Sequence, residues 1–275
     1  MTQNIVMSTF FILCQFLILC YNIIMTWASK RQTSIIVLLL GLAFIPILFI
    51  VYKINTIPPT CFDKKQNQEE AGIDCGGPCE LLCKSQVSDL VVSWKRFFLV
   101  GDGVYNVVIY VENPNTNAGA KDVGYQIRVL NKDGISMYER HGDTTIPAKR
   151  SVPIVEAGLA LGGQIPVRIE FKFDDEIVWT RQVSKDVPLS ASNNALIGAT
   201  STPKLITNII NKDFNPYSNI EVVAILYDGE GNAMGASRTF IDRIEGNQTF
   251  PVTFTWPYPF KVMPTKIEVI PKLFI

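Results

Sequence analysis

Apolar and charged residues alternate at every position in Val167-Arg-Ile-Glu-Phe-Lys-Phe173. This period of two is typical of a β-strand with one buried face, because successive side chains of a strand point to opposite faces. The same alternation surrounds Tyr125 and Phe254, and turn-forming Asn, Asp, Gly and Pro residues separate the runs. No stretch after residue 53 has a helical period over ten residues. The pattern predicts a mainly β fold.

The β region also contains an internal repeat. The segment from Asn113 to Lys149 shares a series of apolar, turn and acidic positions with the segment from Asn211 to Asn247. Solenoid repeats are about 20 to 50 residues long, so a period of about 100 residues fits a whole sandwich domain. We therefore predict two tandem Ig-like β-sandwiches, over residues 87–190 and 191–275. The boundary is expected near 187–201, which lacks alternation.

Two apolar runs, residues 5–27 and 34–53, precede the β region. About 20 helical residues, at 1.5 Å each, span the roughly 30 Å hydrocarbon core of a bilayer, so we assign residues 1–54 as a membrane anchor. Lys30 and Arg31 are the only charges before Lys53. Under the positive-inside rule they place the loop at residues 28–33 in the cytoplasm and everything after the anchor, about 55–275, outside the cell membrane.

The first apolar run allows two other interpretations. A signal peptide would need a basic N-terminal region and a small-residue cleavage site, and neither is found before the charged loop. Translation from Met25 would leave one anchoring helix instead of a helical hairpin. Starting at Met1 or at Met25 leaves the β region on the same side of the membrane.

Four of the six cysteines, Cys61, Cys75, Cys79 and Cys83, lie within a short segment that we assign as a neck, residues 55–86. An even number of closely spaced cysteines outside a membrane indicates disulfides, here two bridges of unspecified pairing. A four-thiolate zinc site would use short cysteine pairs on two knuckles, which these spacings do not match. Free thiols are the third possibility. Since neither sandwich contains a cysteine, we expect the bridges to stabilise the neck alone.

Oxygen-bearing side chains are frequent in the same neck. Asp63, Asn67, Glu69 and Asp74 lie at short intervals around a glycine, as the ligands of calcium loops do. The segment lacks the full EF-hand spacing, and a solvated polar loop explains the same composition. These four residues are our candidate calcium ligands, and no other cofactor is predicted.

The segment that ends in Gly-Ile-Asp-Cys-Gly-Gly-Pro-Cys79 resembles a motif of bacterial surface proteins. The order of a basic head, a membrane helix, this motif and a β-rich tail is similar to that of membrane-anchored envelope proteins of candidate-phyla bacteria. Ile225-Leu-Tyr-Asp228 is similar to the Phe-x-Leu-Tyr-Asp signature of a bacterial envelope β-sandwich family, with Ala224 in place of its Phe. The resemblance implies an envelope location but no particular activity.

The composition offers little for catalysis or for nucleic-acid binding. Basic and acidic residues number 25 each, whereas a nucleic-acid-binding protein should show a basic excess or a basic face. His141 is the only histidine, and we place it on a polar loop without a recognisable nucleophile or orienting acid. Trp94, Trp179 and Trp256 are expected in the sandwich cores.

We therefore predict a non-catalytic binding or structural module of the cell envelope, used in adhesion, scaffolding or assembly. Its expected partners are the lipid bilayer and other envelope or surface proteins. One alternative is a thiol, redox or metal-binding protein that uses the four cysteines. Another is a sensor or transporter accessory subunit that acts through the helices.

Protease treatment of intact spheroplasts tests the topology. We expect digestion of residues 60–275 and protection of residues 28–33, because Lys30 and Arg31 hold residues 28–33 in the cytoplasm. Peptide mass spectrometry identifies the surviving fragments. Digestion of the β region only after lysis would contradict the assignment.

Overall fold

The structure is a computed structural model that describes residues 27–55, 60–67, 69–174, 176–182 and 188–273. The chain divides into two compact units, Met1–Pro59 and Thr60–Ile275. Except for Trp27, the first predicted apolar run lies outside the described residues.

The first unit contains one described α-helix, α1, from Trp27 to Asn55. Its segment Arg31–Val51 has a mean hydropathy of 3.0 and is long and apolar enough to cross a membrane, judged by length and composition alone. A membrane anchor and a signal sequence both fit this description. The helix continues through Pro46, which transmembrane helices tolerate.

The predicted loop at residues 28–33 is wrong, because these residues form the first turns of α1. Ala, Lys, Arg and Gln all favour helix, and neither Gly nor Pro interrupts the segment. Lys30 and Arg31 therefore lie within α1 and not on a loop.

Thirteen strands are described in the second unit, which confirms a mainly β fold. The first sandwich contains β1 (Val91–Gly101), β2 (Val104–Glu112), β3 (Ala118–Leu130), β4 (Ser136–Ile146), β5 (Ser151–Ala160), β6 (Arg168–Phe173) and β7 (Trp179–Arg181). The second contains β8 (Leu189–Ile197), β9 (Lys204–Asn211), β10 (Tyr217–Tyr227), β11 (Ala233–Ile244), β12 (Thr249–Thr255) and β13 (Lys266–Leu273).

The two sandwiches share one topology, as the sequence repeat predicts. In the first, sheet β1-β2-β5 faces sheet β4-β3-β6, with β7 also paired to β3. In the second, sheet β8-β9-β12 faces sheet β11-β10-β13. All these strand pairs are antiparallel. The repeat therefore corresponds to a duplicated arrangement of six strands.

A buried asparagine occupies the same position in each sandwich. The side-chain amide of Asn113 donates to the carbonyls of Ala118 and Pro147, at 2.8 and 2.9 Å. Asn211 donates to the two corresponding carbonyls at 2.8 and 3.0 Å. Each asparagine thereby joins the loop after its own strand to the turn at the end of the next hairpin. These polar repeat positions stabilise the fold.

A third core joins the two sandwiches. Phe98, Val108 and Val155 of sheet β1-β2-β5 pack against Val223 and Ile225 of β10. The opposite faces of the same two sheets belong to the cores of the individual sandwiches. β2 and β10 are therefore buried on both sides. The sandwiches form four stacked sheets, not two domains separated by a linker.

β8 lies in the stretch where the sequence showed no alternation. It pairs with β9 through a register shift between Ser192 and Ala195, and Asn193 between them has a positive φ of 55°. A bulge of this kind inserts residues that break the period of two, so the strand gave no sequence signal. The second sandwich consequently includes Leu189, slightly before the predicted start.

The neck packs into the first sandwich. Leu81 forms a β-bridge with Thr180, and the amide of Leu82 donates to the carbonyl of Trp179 at 2.9 Å. The Leu82 side chain is 8% exposed and belongs to the first core. The expectation that the bridges stabilise the neck alone therefore does not hold, because the neck supplies part of a sandwich core.

Truncation of this side chain tests the coupling. Leu82→Ala should lower the free energy of unfolding of the β region by about 2–4 kcal/mol, since it removes buried methyl groups and leaves a cavity. Leu99→Ala is the matched control, because Leu99 is 51% exposed and its truncation should cost less than about 0.5 kcal/mol. Urea unfolding followed by tryptophan fluorescence measures both. Equal effects would contradict a structural role for the neck.

Candidate functional site

A cleft of about 900 Å³ lies between the two sandwiches. One wall consists of the turn after β4 and the first residues of β5, and the other of β13 and the start of β8. β5 and β13 are both outermost strands of their sheets, so the cleft opens along two sheet edges. We call it the inter-sandwich cleft. Its size is within the range of ligand-binding pockets.

Positively charged side chains line this cleft. Lys121 and Lys149 are exposed and Arg150 is half-buried. None of these three forms an ion pair with another described residue. A fourth cation, Lys272, has a side chain only 9% exposed and pairs with Glu221 at 3.5 Å. Burial lowers the pKa of the Lys272 ammonium, and Glu221 opposes that shift.

The carboxylates of the cleft already accept hydrogen bonds from tyrosines. Asp213 accepts from Tyr217 at 2.6 Å, and this bond lowers the pKa of Asp213. Glu268 accepts from Tyr110 at 2.9 Å and from Tyr227 at 2.7 Å. Because Tyr110 is on β2 and Glu268 on β13, the bond between them crosses from one sandwich to the other. These hydrogen bonds leave both carboxylates charged, and the three cations without a described ion pair outnumber them in the cleft.

These contacts perturb the tyrosines. Burial and the neighbouring Glu268 carboxylate raise the pKa of Tyr110 to about 12. Burial and the same carboxylate raise the pKa of Tyr227 above its ordinary range. Both phenols therefore stay protonated and donate to Glu268 well into the alkaline range.

The neck is a second candidate site. Disulfides join Cys61 to Cys79 and Cys75 to Cys83, which confirms two bridges and selects one of the three pairings. All four sulfurs are used in bridges. The four-thiolate zinc and free-thiol alternatives therefore do not fit this arrangement.

Three of the four candidate calcium ligands lie together. The Asn67 amide donates to Asp63 at 2.8 Å, and the Asp74 carboxylate accepts the backbone amides of Asp63 and Lys64 at 3.0 and 3.1 Å. The bond from Asn67 lowers the pKa of Asp63. Glu69 is exposed. These hydrogen bonds fold the loop through its own polar groups, and calcium binding stays a prediction.

Glu70 is the neck residue whose importance the sequence did not reveal. Its side chain is 5% exposed, with Oε1 3.1 Å from Cys79 Sγ and Oε2 accepting the Asn67 backbone amide at 3.1 Å. Cys61, Glu70 and Cys79 are the described residues whose potential ligand atoms all lie within 4.8 Å of one another. Nothing in the sequence distinguishes this buried glutamate from the exposed Glu69 beside it.

The remaining candidates lie outside the cleft and the neck. His141 lies within β4 and not on a loop, and its exposed ring is 3.2 Å from the side-chain nitrogen of Gln126. Trp179 and Trp256 are buried in the sandwich cores, as predicted. Trp94 instead stacks on Tyr110 at 5.1 Å, next to the core between the sandwiches.

Comparisons with known proteins give no family. No protein-family model and no curated protein matches the chain. Among solved structures, red sea bream transglutaminase matches with 11% identity and a TM-score of 0.25, over 68% of this chain and 31% of that one. A β-glucuronidase from glycoside hydrolase family 2 matches with 10% identity and a TM-score of 0.21, over 56% of this chain and 20% of that one. Similarity this low supports no statement about activity.

The tyrosine contacts predict an alkaline loss of stability. An unfolded tyrosine releases its proton near pH 10.0, whereas folded Tyr110 keeps it until about pH 12. The unfolded state then binds fewer protons, so the free energy of unfolding falls as the pH rises through this interval. Tyr110→Phe should reduce the slope. Urea unfolding at a series of pH values measures it, and parallel curves for the two proteins would contradict the prediction.

Proposed function

We propose that the chain is a non-catalytic, membrane-anchored binding module of the cell envelope, with Thr60–Ile275 outside the cytoplasm. The length and apolar composition of α1 support the anchor. Two disulfides in a short segment support an oxidising compartment, because thiols are kept reduced in the cytosol.

The proposed binding site is the inter-sandwich cleft, and the proposed ligand is an anionic segment of another envelope protein. The observation that carries this proposal is the group of three cations, Lys121, Lys149 and Arg150, without ion-pair partners among the described residues. The cleft also contains the carboxylates of Asp213 and Glu268, which are fewer than the cations and form no described ion pair with them. Charge complementarity of this kind gives specificity and accelerates association.

The stacked sheets support the same role. The third core packs the two sandwiches that form the cleft walls against each other. Ligand binding therefore does not carry the entropic cost of ordering two independently moving domains. The cleft also opens along β5 and β13, which are outermost among the described strands of their sheets, and sheet edges commonly bind extended segments. An anionic stretch in an extended conformation fits both features.

Photo-cross-linking in the native envelope tests this proposal. A photoreactive residue in place of Ser190, which lines the cleft, should capture a protein whose cross-linked peptide is acidic. Replacing Lys121, Lys149 and Arg150 together by Ala should lower the yield about tenfold, because the charge attraction is lost.

The matched control replaces three exposed lysines outside the cleft, Lys132, Lys172 and Lys204, by Ala. The control should keep the full cross-linking yield at the same expression level and thermal stability. Equal losses in the two triple variants, or equal retention in both, would contradict binding in the cleft.

A further inference from the structure

We propose that the Cys61–Cys79 bridge is a thiol–disulfide exchange site and that the buried Glu70 carboxylate favours its opening. The partner would be a dithiol, either a small molecule or a protein with two vicinal cysteines. This site is separate from the inter-sandwich cleft, and the inference does not depend on what binds there.

The first argument is the environment of Glu70. Its Oε1 lies 3.1 Å from Cys79 Sγ, but a disulfide sulfur carries no hydrogen and cannot donate to it. Glu70 forms no ion pair with any other described residue. Among the described residues no N–H or O–H group donates to this oxygen, and a buried carboxylate oxygen without a donor is unfavourable.

Reduction of the Cys61–Cys79 bridge supplies a hydrogen-bond donor to Glu70 Oε1. As a thiol, Cys79 carries an S–H that can donate to Oε1 across the same distance. Glu70 therefore stabilises the reduced form relative to the bridge. The exchange equilibrium with a dithiol therefore shifts toward the open bridge. The size of the shift is the free-energy difference between the S–H to Oε1 contact of the reduced form and the sulfur to Oε1 contact of the disulfide.

The second argument is access. Cys61 is half-buried, whereas Cys79 is 1% exposed, so an incoming thiolate reaches Cys61 first and Cys79 leaves toward Glu70. Cys75 of the second bridge is half-buried like Cys61, so access does not distinguish the two bridges. They differ in that the Glu70 carboxylate lies against Cys79 of the first bridge.

The exchange balances in two steps. The first thiolate of the partner attacks Cys61 Sγ and forms a mixed disulfide. The electron pair of the broken S–S bond goes to Cys79 Sγ, which takes up the proton that the partner's thiol released and then donates its S–H to Glu70. The second thiolate of the partner attacks the mixed disulfide and releases Cys61. The partner is oxidised to a disulfide, the bridge is reduced, and the two protons of the dithiol end on Cys61 and Cys79.

Opening this bridge would release the loop of sequence separation 18 that it closes, while the second bridge still holds residues 75–83. The hydrogen bonds that Asp74 and Asp63 accept within this loop do not depend on the bridge.

Redox titration of the full chain in detergent micelles tests the proposal. The protein is equilibrated in mixtures of reduced and oxidised dithiothreitol, quenched with acid and alkylated, and peptide mass spectrometry measures each bridge. Cys61–Cys79 should open at a reduced-to-oxidised ratio about tenfold lower than Cys75–Cys83.

Substitution of the carboxylate supplies the second measurement. Glu70→Gln should raise the ratio needed to open Cys61–Cys79 about tenfold, because the amide removes the buried charge and can donate to the disulfide sulfur. The control Glu69→Gln changes the exposed neighbour and should leave the ratio unchanged. Opening of both bridges at one ratio in the wild type would overturn the proposal even if Glu70→Gln does not fold. Identical titrations of the two variants would overturn it as well.

Discussion

The apolar contact between sheet β1-β2-β5 and sheet β11-β10-β13 is the constraint on which the arrangement of the β region depends. Through it, β2 and β10 lose solvent on both faces, and residues such as Val108 and Val223 are fully buried. Without this contact the two sandwiches would be joined by a single chain connection and a few polar bonds. The inter-sandwich cleft lies beside this contact, between residues of β5 and β13.

Polar groups within the same interface restrict how the sheets can pack. The buried Glu221 pairs with Arg238 at 3.3 Å and with Lys272 at 3.5 Å. Arg238 also donates to the carbonyl of Val155 at 2.6 Å, which links β11 to the first sandwich. Buried ion pairs contribute little net stability, but a shifted packing would leave their charges unpaired. We infer that they select one register for an otherwise non-directional apolar contact.

The neck connects this stack to the rest of the chain. Cys83 follows directly on Leu82, so the second bridge is adjacent to a residue of the first core, whereas the first bridge closes the loop that comes earlier in the sequence. The neck therefore contains a part that belongs structurally to the sandwich and a part held mainly by one disulfide and local hydrogen bonds. This division gives the two bridges different consequences when they open.

Local patterns in the sequence determined the strands, the repeat, the apolar helix and the presence of two disulfides, because each depends on residues close in the chain. The sequence did not predict β8, because the bulge in this strand breaks the alternation of apolar and polar residues. The continuous apolar run Val222-Val-Ala-Ile-Leu226 contained the signal of a strand buried on both faces, but not the identity of the second covering sheet. The tertiary structure alone decided the stacking of the sandwiches, the cleft with its three cations, the cysteine pairing and the contact of Glu70 with a disulfide. Each of these joins residues distant in sequence, and their juxtaposition follows from packing rather than from periodicity.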